Sequence, residues 1–236
     1  MKNIIDNELK YSILKPAAKS KNKAIIFYHG WGTNVESNQD IGELLANEGY
    51  QVVYPELIYH DTRNCLENHF DDKVIQNYFW KTVMESIDEW DELINTLGVT
   101  EHEIILVGSS MGGFIVNGIF ATRKSLGGLI NINGSGSFVL SEQVFRKMGN
   151  RHELTVDEMN LLKEYDPVQS DNCSSPVLLM HGDSDTTVHI DGQKDYYTYL
   201  TRHKKRDNVD LMIYENINHV ISPEMVRDMM EWLRAD

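Results

Sequence analysis

Short apolar runs alternate along the chain with longer stretches in which apolar residues recur every three or four positions. An uninterrupted apolar run is typical of a strand that is covered on both faces. Such runs predict strands at residues 24–28, 50–54, 103–107, 128–134, 176–180 and 209–214. Residues 9–15 instead alternate polar and apolar side chains, which predicts a half-buried strand at the edge of the sheet.

The stretches between these strands have the spacing of amphipathic helices. They predict helices over residues 36–47, 73–97, 113–121, 141–165, 192–203 and from 222 onward. The stretch 73–97 fits one long helix or two abutting ones ended by Gly98, and Gly149 with Asn150 is expected to divide 141–165.

Strands that alternate with helices predict right-handed crossovers and a mostly parallel sheet with helices on both faces. We find no repeats, no low-complexity segment and no interdomain linker, so residues 1–236 are expected to form a single α/β domain. The segment of about 137–175 is longer than one crossover needs. It is therefore predicted to form a small helical cap over the carboxyl edge of the sheet, where ligands bind in such folds.

Composition narrows the classes of partner. The chain of 236 residues carries a net charge of −14, which disfavours nucleic acids and anionic membranes and weakly favours neutral or cationic small molecules. Its two cysteines, Cys65 and Cys173, fit free thiols in a reducing compartment better than a disulfide. The first residues lack the apolar core of a signal peptide, and no stretch is apolar enough to span a bilayer. We therefore expect a cytoplasmic protein, and the sequence leaves open whether it forms a homodimer.

The chemistry of the chain centres on Gly108-Ser109-Ser110-Met111-Gly112, between a predicted strand and a predicted helix. G-x-S-x-G in that context is the nucleophile elbow, a sharp turn that exposes a serine hydroxyl at the edge of a sheet. The same letters also occur by chance, and a glycine-rich turn can serve packing alone. A base, an acid and an oxyanion hole are needed to favour catalysis.

The loop His29-Gly30-Trp31-Gly32 follows a predicted strand and offers half of an oxyanion hole. Its glycines would permit the backbone to approach the reacting carbonyl closely. The backbone N–H groups of Trp31 and Met111 would then donate hydrogen bonds to the carbonyl oxygen. The alternative is a simple turn whose tryptophan covers the core. We expect His29 itself to make structural hydrogen bonds, because it precedes the turn.

Two further strand exits carry candidates for the acid and the base. Asp183 and Asp185 both follow a strand and could orient an imidazole, whereas Asp183 could also stabilise only its turn. His219, in a strand-to-helix loop, is the candidate base, with His189 as its rival. Histidines in polar surroundings are expected at the surface: His60, His69, His102, His152 and His203.

Serine, aspartate and histidine occur here in the chain order of α/β-hydrolases. The motifs around Ser110 and Trp31, His181-Gly182-Asp183-Ser184-Asp185-Thr186-Thr187-Val188 and Asn218-His219 resemble that superfamily. Within it, the chain is similar to small single-domain serine esterases related to the prolyl oligopeptidase and dienelactone hydrolase families. The resemblance implies an α/β-hydrolase fold, a triad of Ser110, Asp185 and His219, and Trp31 and Met111 as oxyanion donors. This chemistry needs no metal or organic cofactor, and the sequence shows no H-E-x-x-H or paired C-x-x-C spacing that would favour a metallohydrolase.

Two departures limit what the resemblance implies. Dienelactone hydrolases use a cysteine nucleophile where this chain has Ser110, and the chain lacks the propeller domain of the large oligopeptidases. The resulting hypothesis is a serine hydrolase that cleaves small carboxylic esters through an acyl-enzyme. A compact pocket suited to short acyl chains is expected from Trp31, Phe114, Tyr28, Tyr59, Phe138 and the cap. Thioesterase, amidase, peptidase and acyltransferase activities use the same machinery and stay open, as does an inactive binding protein.

Overall fold

The computed structural model describes residues 8–169 and 172–235, and these form one seven-stranded sheet with helices on both faces. The strands are β1 (Tyr11–Leu14), β2 (Ala24–Tyr28), β3 (Gln51–Pro55), β4 (Ile104–Ser109), β5 (Gly128–Ile132), β6 (Val177–Gly182) and β7 (Val209–Tyr214). Their order across the sheet is β1-β3-β2-β4-β5-β6-β7. Only β1 at the edge is antiparallel to its neighbour, and every other described pair is parallel. The mostly parallel sheet predicted from the sequence is confirmed.

The described residues form eight α-helices, of which seven lie between strands and the last follows β7. They are α1 (Gln39–Asn47), α2 (Asp72–Asp88), α3 (Trp90–Leu97), α4 (Met111–Thr122), α5 (Phe138–Met148), α6 (Val156–Tyr165), α7 (Asp191–Thr198) and α8 (Pro223–Ala235). A short π-helical segment, Tyr199–His203, extends α7. The stretch 73–97 is two helices that meet at Glu89, and Gly98 ends the second one in a left-handed conformation with φ of 63°.

The helices divide between the two faces of the sheet. Helices α1 and α8 pack on one face, where Leu45 and Met229 join the buried side chains of the central strands. Helices α2 to α7 cover the other face, where Phe114 of α4 lies fully buried in the larger apolar cluster. Every residue of α4 from Met111 to Ala121 is buried. The helix that follows the elbow is therefore held from all sides, which gives Ser110 a rigid support.

Two helices occupy most of the segment 137–175. The first, α5, begins where the backbone N–H groups of Phe138 and Val139 donate to the carboxylate of Asp166, at 3.1 and 3.0 Å. The second, α6, begins with a capping box formed by Thr155 and Glu158. The break between the helices follows Met148, close to the predicted division.

Candidate active site

Ser110 lies at a sharp turn between β4 and α4, with a φ of 55° and a ψ of −120° that few non-glycine residues adopt. Its backbone N–H donates to the carbonyl of Ile132 at 2.9 Å, which fastens the turn to β5. The flanking glycines are required by close packing. A Cβ on Gly112 would collide with the carbonyl oxygen of Tyr28, and one on Gly108 would collide with the carbonyl of Gly112. The turn therefore has the geometry expected of a nucleophile elbow.

The structure brings the three predicted triad residues into one hydrogen-bonded chain. Oγ of Ser110 lies 2.7 Å from Nε2 of His219, and Nδ1 of His219 lies 2.6 Å from Oδ2 of Asp185. The serine follows β4, the aspartate follows β6 and the histidine follows β7. All three strands are parallel, so these residues meet at one edge of the sheet, formed by the carboxyl ends.

Asp185 is buried and fully hydrogen-bonded. Its Oδ1 accepts the backbone N–H groups of Thr187 and Val188 at 2.8 and 2.9 Å, and Nε2 of His181 lies 3.4 Å from its Oδ2. Burial favours the neutral acid, but the contacts with His181, His219 and the Thr187 N–H outweigh it and hold the pKa of this carboxyl well below its usual range. A carboxylate here keeps the proton of His219 on Nδ1, so that Nε2 can accept the hydroxyl proton of Ser110.

The rival residues lie outside this chain of hydrogen bonds. Asp183 is exposed and accepts the backbone N–H of Asn216 at 2.7 Å and the hydroxyl of Ser184 at 2.9 Å, so it stabilises the turn. His189 is exposed and lies 3.2 Å from Oδ2 of Asp191. The geometry therefore favours Asp185 and His219 over Asp183 and His189.

The loop that carries His219 is tied to the loop that carries the acid. Oδ1 of Asn218 accepts the backbone N–H groups of Thr186, at 3.0 Å, and of His219, at 2.8 Å. The N–H of Ser184 also donates to the carbonyl of Ile217 at 3.0 Å. Hydrogen bonds to the backbone therefore hold Asp185 and His219 in position, in addition to the direct contact between their side chains.

Asn133, at the exit of β5, is a part of the site that sequence reasoning missed. Its Nδ2 donates to the carbonyl of Val220 at 2.8 Å, and its Oδ1 accepts the N–H of Gly182 at 3.1 Å. The residue is buried and has a φ of 53°, in the left-handed region that asparagine tolerates better than most residues. An asparagine followed by glycine at the end of the predicted strand 128–134 is the signal that could have identified it.

The predicted oxyanion loop lies against the nucleophile. A Cβ added to Gly30 would lie 3.2 Å from Cβ of Ser110, so the backbone of the loop passes directly beside the serine. Trp31 follows, and its indole Nε1 donates to the carbonyl of His69 at 2.7 Å. On the other side, Met111 opens α4, where the first N–H groups of a helix have no partner within it and favour negative charge.

His29 makes the structural contacts expected of it. The ring is buried, with Nε2 at 3.0 Å from Oδ2 of Asp61 and Nδ1 at 2.9 Å from the carbonyl oxygen of Gly30. Nε2 of His29 faces the carboxylate of Asp61 and not Ser110. His29 therefore holds the start of the oxyanion loop and is not placed to act as a base.

The prediction that His60 and His69 are surface residues was wrong. His60 is fully buried and His69 half-buried, and both lie behind the oxyanion loop. Burial, followed by the nearby His29, lowers the pKa of His60 to about 3. The segment folds inward because buried Arg63 is fixed by the carboxylate of Glu89, a partner distant in sequence. The other three predicted surface histidines are exposed: His102, His152 and His203.

The cleft at Ser110 has a volume of about 240 Å³. It is lined by Gly30, Trp31, Thr33, Ser37, Asn38, Ser109, Ser110, Asn133, His219, Val220 and Ile221. The aromatic lining expected from the sequence was largely wrong. Tyr28, Phe114 and Phe138 are buried in the core, and Tyr59 packs against Tyr78, which leaves Trp31 as the one predicted aromatic residue among those that line the cleft.

No group of three or more histidine, cysteine, aspartate or glutamate side chains within residues 8–169 and 172–235 is arranged to hold a metal ion. Cys65 is exposed and Cys173 is buried, and both are free thiols. No helix in the same described part of the chain is long and apolar enough to cross a membrane.

Comparison with known proteins places this geometry in a family. The model of the prolyl oligopeptidase family matches residues 39–235. The chain is 25% identical to the candidate esterase YitV of Bacillus subtilis (strain 168) over 227 residues, which cover 89% of this chain and 88% of that protein. It is 22% identical to the esterase YjfP of Escherichia coli (strain K12) over 223 residues, 89% of this chain and 87% of the relative.

Solved structures agree on the fold. The structure of TT1662 from Thermus thermophilus superposes with a TM-score of 0.73 at 17% identity, covering 96% of this chain and 93% of that one. The sheet order, the elbow and the positions of the strand exits are those of the α/β-hydrolase fold. Since the family model covers most of the chain, the protein belongs to the prolyl oligopeptidase family and has the α/β-hydrolase fold.

Proposed function

We propose that the protein is a serine hydrolase that cleaves small carboxylic esters, with Ser110 as nucleophile, His219 as general base and acid, and Asp185 as the group that orients His219. The observation that carries this proposal is the unbroken chain of hydrogen bonds from Asp185 through His219 to Ser110, with distances of 2.6 and 2.7 Å. The esterase names of YitV and YjfP support ester bonds as the substrate class.

The first half of the reaction forms an acyl-enzyme. Oγ of Ser110 attacks the ester carbonyl while Nε2 of His219 takes its proton, and the charge of Asp185 stabilises the imidazolium. The developing oxyanion accepts hydrogen bonds from the backbone N–H groups of Trp31 and Met111, on either side of the serine. Collapse of the tetrahedral intermediate breaks the bond to the alcohol, which leaves with the proton held by His219.

The second half regenerates the enzyme. Water attacks the acyl carbon as Nε2 of His219 removes its proton, and the same two N–H groups stabilise the second oxyanion. The bond to Ser110 Oγ breaks, and His219 returns the proton to the serine. One ester and one water yield one carboxylic acid and one alcohol.

The size of the cleft supports short acyl chains. Its volume of about 240 Å³ lies below the roughly 300–1,000 Å³ that is usual for sites of drug-sized ligands. The net charge of −14 favours uncharged or cationic substrates over anionic ones. The substrate class that fits best is therefore a small ester with an acyl group such as acetyl or butyryl.

The setting of the enzyme is part of the same proposal. Two free thiols support a reducing compartment, and we propose the cytoplasm. We also propose that the chain forms one domain in which α5 and α6 act as a small cap. Phe138 of α5 and Leu162 of α6 belong to the same apolar cluster as α2 and α4, which supports a single core.

A series of nitrophenyl esters from acetate to decanoate tests the proposal. Wild type should hydrolyse the acetate and butyrate esters fastest. Ser110→Ala should reduce kcat to the residual rate that substrate binding and the oxyanion hole provide without a nucleophile. Matched thioesters and anilides separate ester cleavage from thioesterase and amidase activity. Faster turnover of decanoate than of butyrate would contradict the preference for short chains, and preference for the thioester or anilide would contradict ester cleavage.

A further inference from the structure

The segment of residues 57–71, here called the back loop, is hydrogen-bonded to three of the four residues of the oxyanion loop: His29, Trp31 and Gly32. Asp61 contacts the ring of His29, His69 accepts the indole N–H of Trp31 through its carbonyl, and His60 accepts a backbone N–H. Since Trp31 lies between the other two fixed residues, the back loop holds the part of the oxyanion loop that supplies the proposed donor.

The contact of His60 is made with the backbone. Nε2 of His60 lies 3.0 Å from the N–H of Gly32 and accepts it. Nδ1 of the same ring lies 3.2 Å from the carbonyl oxygen of Ile58, and a carbonyl can only accept, so the ring proton sits on Nδ1. The tautomer is therefore fixed, with the lone pair of Nε2 directed at Gly32.

The ring of His60 is also fixed by its neighbours. It is fully buried and packs edge-on against Trp31, with ring centroids 4.9 Å apart. The ring of His69 lies tilted against it at 4.3 Å. The ring of His29 also packs edge-on, at 5.5 Å. Burial and the neighbouring His29 disfavour a charged ring, which lowers the pKa of His60 to about 3 and keeps Nε2 an acceptor at neutral pH.

This contact fixes the peptide unit on the carboxyl side of Trp31, next to the peptide unit that carries the Trp31 N–H. Gly32 has a φ of 69°, and a Gly-Trp-Gly segment without support has several accessible backbone conformations. The peptide unit that carries the Trp31 N–H is held at its other end, where the carbonyl of Gly30 accepts the hydroxyl of Thr33 at 2.8 Å. With the N–H of Gly32 bound to His60 and the indole bound to His69, the backbone on both sides of Trp31 has little freedom to rotate. An oxyanion donor is effective only when it is oriented before the charge develops.

We propose that His60 is a positioning residue for the oxyanion hole, acting through the backbone of Gly32 on the N–H of Trp31. The inference rests on the proposed serine hydrolase mechanism and deepens it. His60 itself does not touch substrate. Its loss should therefore lower kcat and the affinity for oxyanionic analogues while leaving KM nearly unchanged.

The test compares two substitutions that separate volume from hydrogen bonding. His60→Phe fills the space but has no acceptor, and His60→Gln offers Oε1 to the Gly32 N–H. We expect kcat on nitrophenyl butyrate to fall about 100-fold in His60→Phe, as for a lost oxyanion donor, with KM within about threefold. His60→Gln should recover a substantial part of kcat. The exposed His102→Phe is the matched control and should retain wild-type kcat.

The affinity for a trifluoromethyl ketone analogue is a second measurement, and it should not change if His60 only supports the fold. Its affinity should fall in His60→Phe by about the same factor as kcat, because its adduct with Ser110 carries an oxyanion. If His60→Phe does not fold, as judged by circular dichroism, His60→Leu replaces it as a variant of similar volume without an acceptor.

Failure of this inference is distinct from failure of the proposed function. Equal hydrolysis by wild type and Ser110→Ala would overturn the serine mechanism and this inference with it. A folded His60→Phe with wild-type kcat, or with a loss confined to KM, would overturn only the role of His60. Equal losses in His60→Phe and His60→Gln would also contradict it, because the acceptor would then be irrelevant.

Discussion

Nε2 of His219 lies 2.7 Å from Oγ of Ser110, although 109 positions separate the two residues in the chain. The strands that precede them, β4 and β7, are not neighbours, because β5 and β6 lie between them in the sheet. The contact therefore depends on the loop after β7 reaching back across the carboxyl edge. Hydrogen bonds to the loops after β5 and β6 hold it there.

Replacing Asp185 by asparagine should remove the negative charge beside His219 while keeping the shape of the side chain. Asp185→Asn keeps an oxygen for the N–H groups of Thr187 and Val188 but no longer stabilises the imidazolium or the required tautomer of His219. We expect kcat to fall by about 10⁴-fold with little change in KM. Steady-state kinetics on nitrophenyl acetate measure this. Asp183→Asn is the matched control and should keep most of the wild-type kcat, and the reverse order of the two losses would reassign the acid.

The same carboxylate should make stability depend on pH in a defined direction. Because the pKa of Asp185 is lower in the folded protein than in the unfolded chain, its stabilising contribution is complete above the unfolded pKa of about 3.9. That contribution is lost as the pH falls below this value towards the folded pKa. Urea unfolding at pH 5, 4 and 3 should therefore show a steeper loss for wild type than for Asp185→Asn. Parallel curves for the two proteins would contradict the assignment.

Asn133 should be needed for both stability and rate. Asn133→Ala removes the bonds to Val220 and Gly182, and we expect a loss of about 1–3 kcal/mol in the free energy of unfolding from the unpaired groups. A shift of the His219 loop by 1 Å can cost up to about 100-fold in rate. Asn22→Ala is the control for backbone strain, because Asn22 is exposed and has a φ of 55°. Equal effects of both substitutions on unfolding and kcat would remove Asn133 from the site.

The elbow should tolerate no side chain at Gly112. A Cβ there would overlap the carbonyl oxygen of Tyr28, which belongs to the backbone and cannot rotate away. We expect Gly112→Ala to be strongly destabilised or insoluble. Gly149→Ala, where the nearest atom to a Cβ lies at 3.3 Å and φ is −82°, should remain within about 0.5 kcal/mol of wild type in thermal or urea unfolding. Normal stability of Gly112→Ala would show that the turn is looser than described.

The strands and the elbow could be predicted because their signals are local. Buried parallel strands are short apolar runs, and the residues that follow them meet at one edge of the sheet. Ser110 could therefore be proposed from its motif and context, and His219 from its place in a strand-to-helix loop, with His189 as a rival. Asp185 needed the family resemblance, since Asp183 also follows β6 and lies closer to it in the chain. The structure supplies the reason: the N–H of Asp185 approaches the carbonyl of Gly182 at 3.4 Å, in a turn that directs Asp185 back over the edge.

His60 and the lining of the cleft could not be predicted in the same way. The back loop is polar, and its burial results from contacts with distant residues such as that of Arg63 with Glu89. The sequence pattern does not report such contacts, so the polar residues around His60 wrongly predict a surface position. Similarly, Phe114 lies in a predicted helix and Phe138 in the predicted cap, and the pattern does not say whether these apolar residues face the core or a cleft. Both face the core.

Labelling with a fluorophosphonate probe, followed by mass spectrometry of the intact and digested protein, tests the central claim most directly. The probe reacts with a serine only where a neighbouring base and an oxyanion hole activate it. We predict one adduct per chain, located on Ser110, and no labelling of Ser110→Ala under the same conditions. Equal labelling of the two proteins, or an unlabelled wild type, would contradict the account of Ser110 as an activated nucleophile.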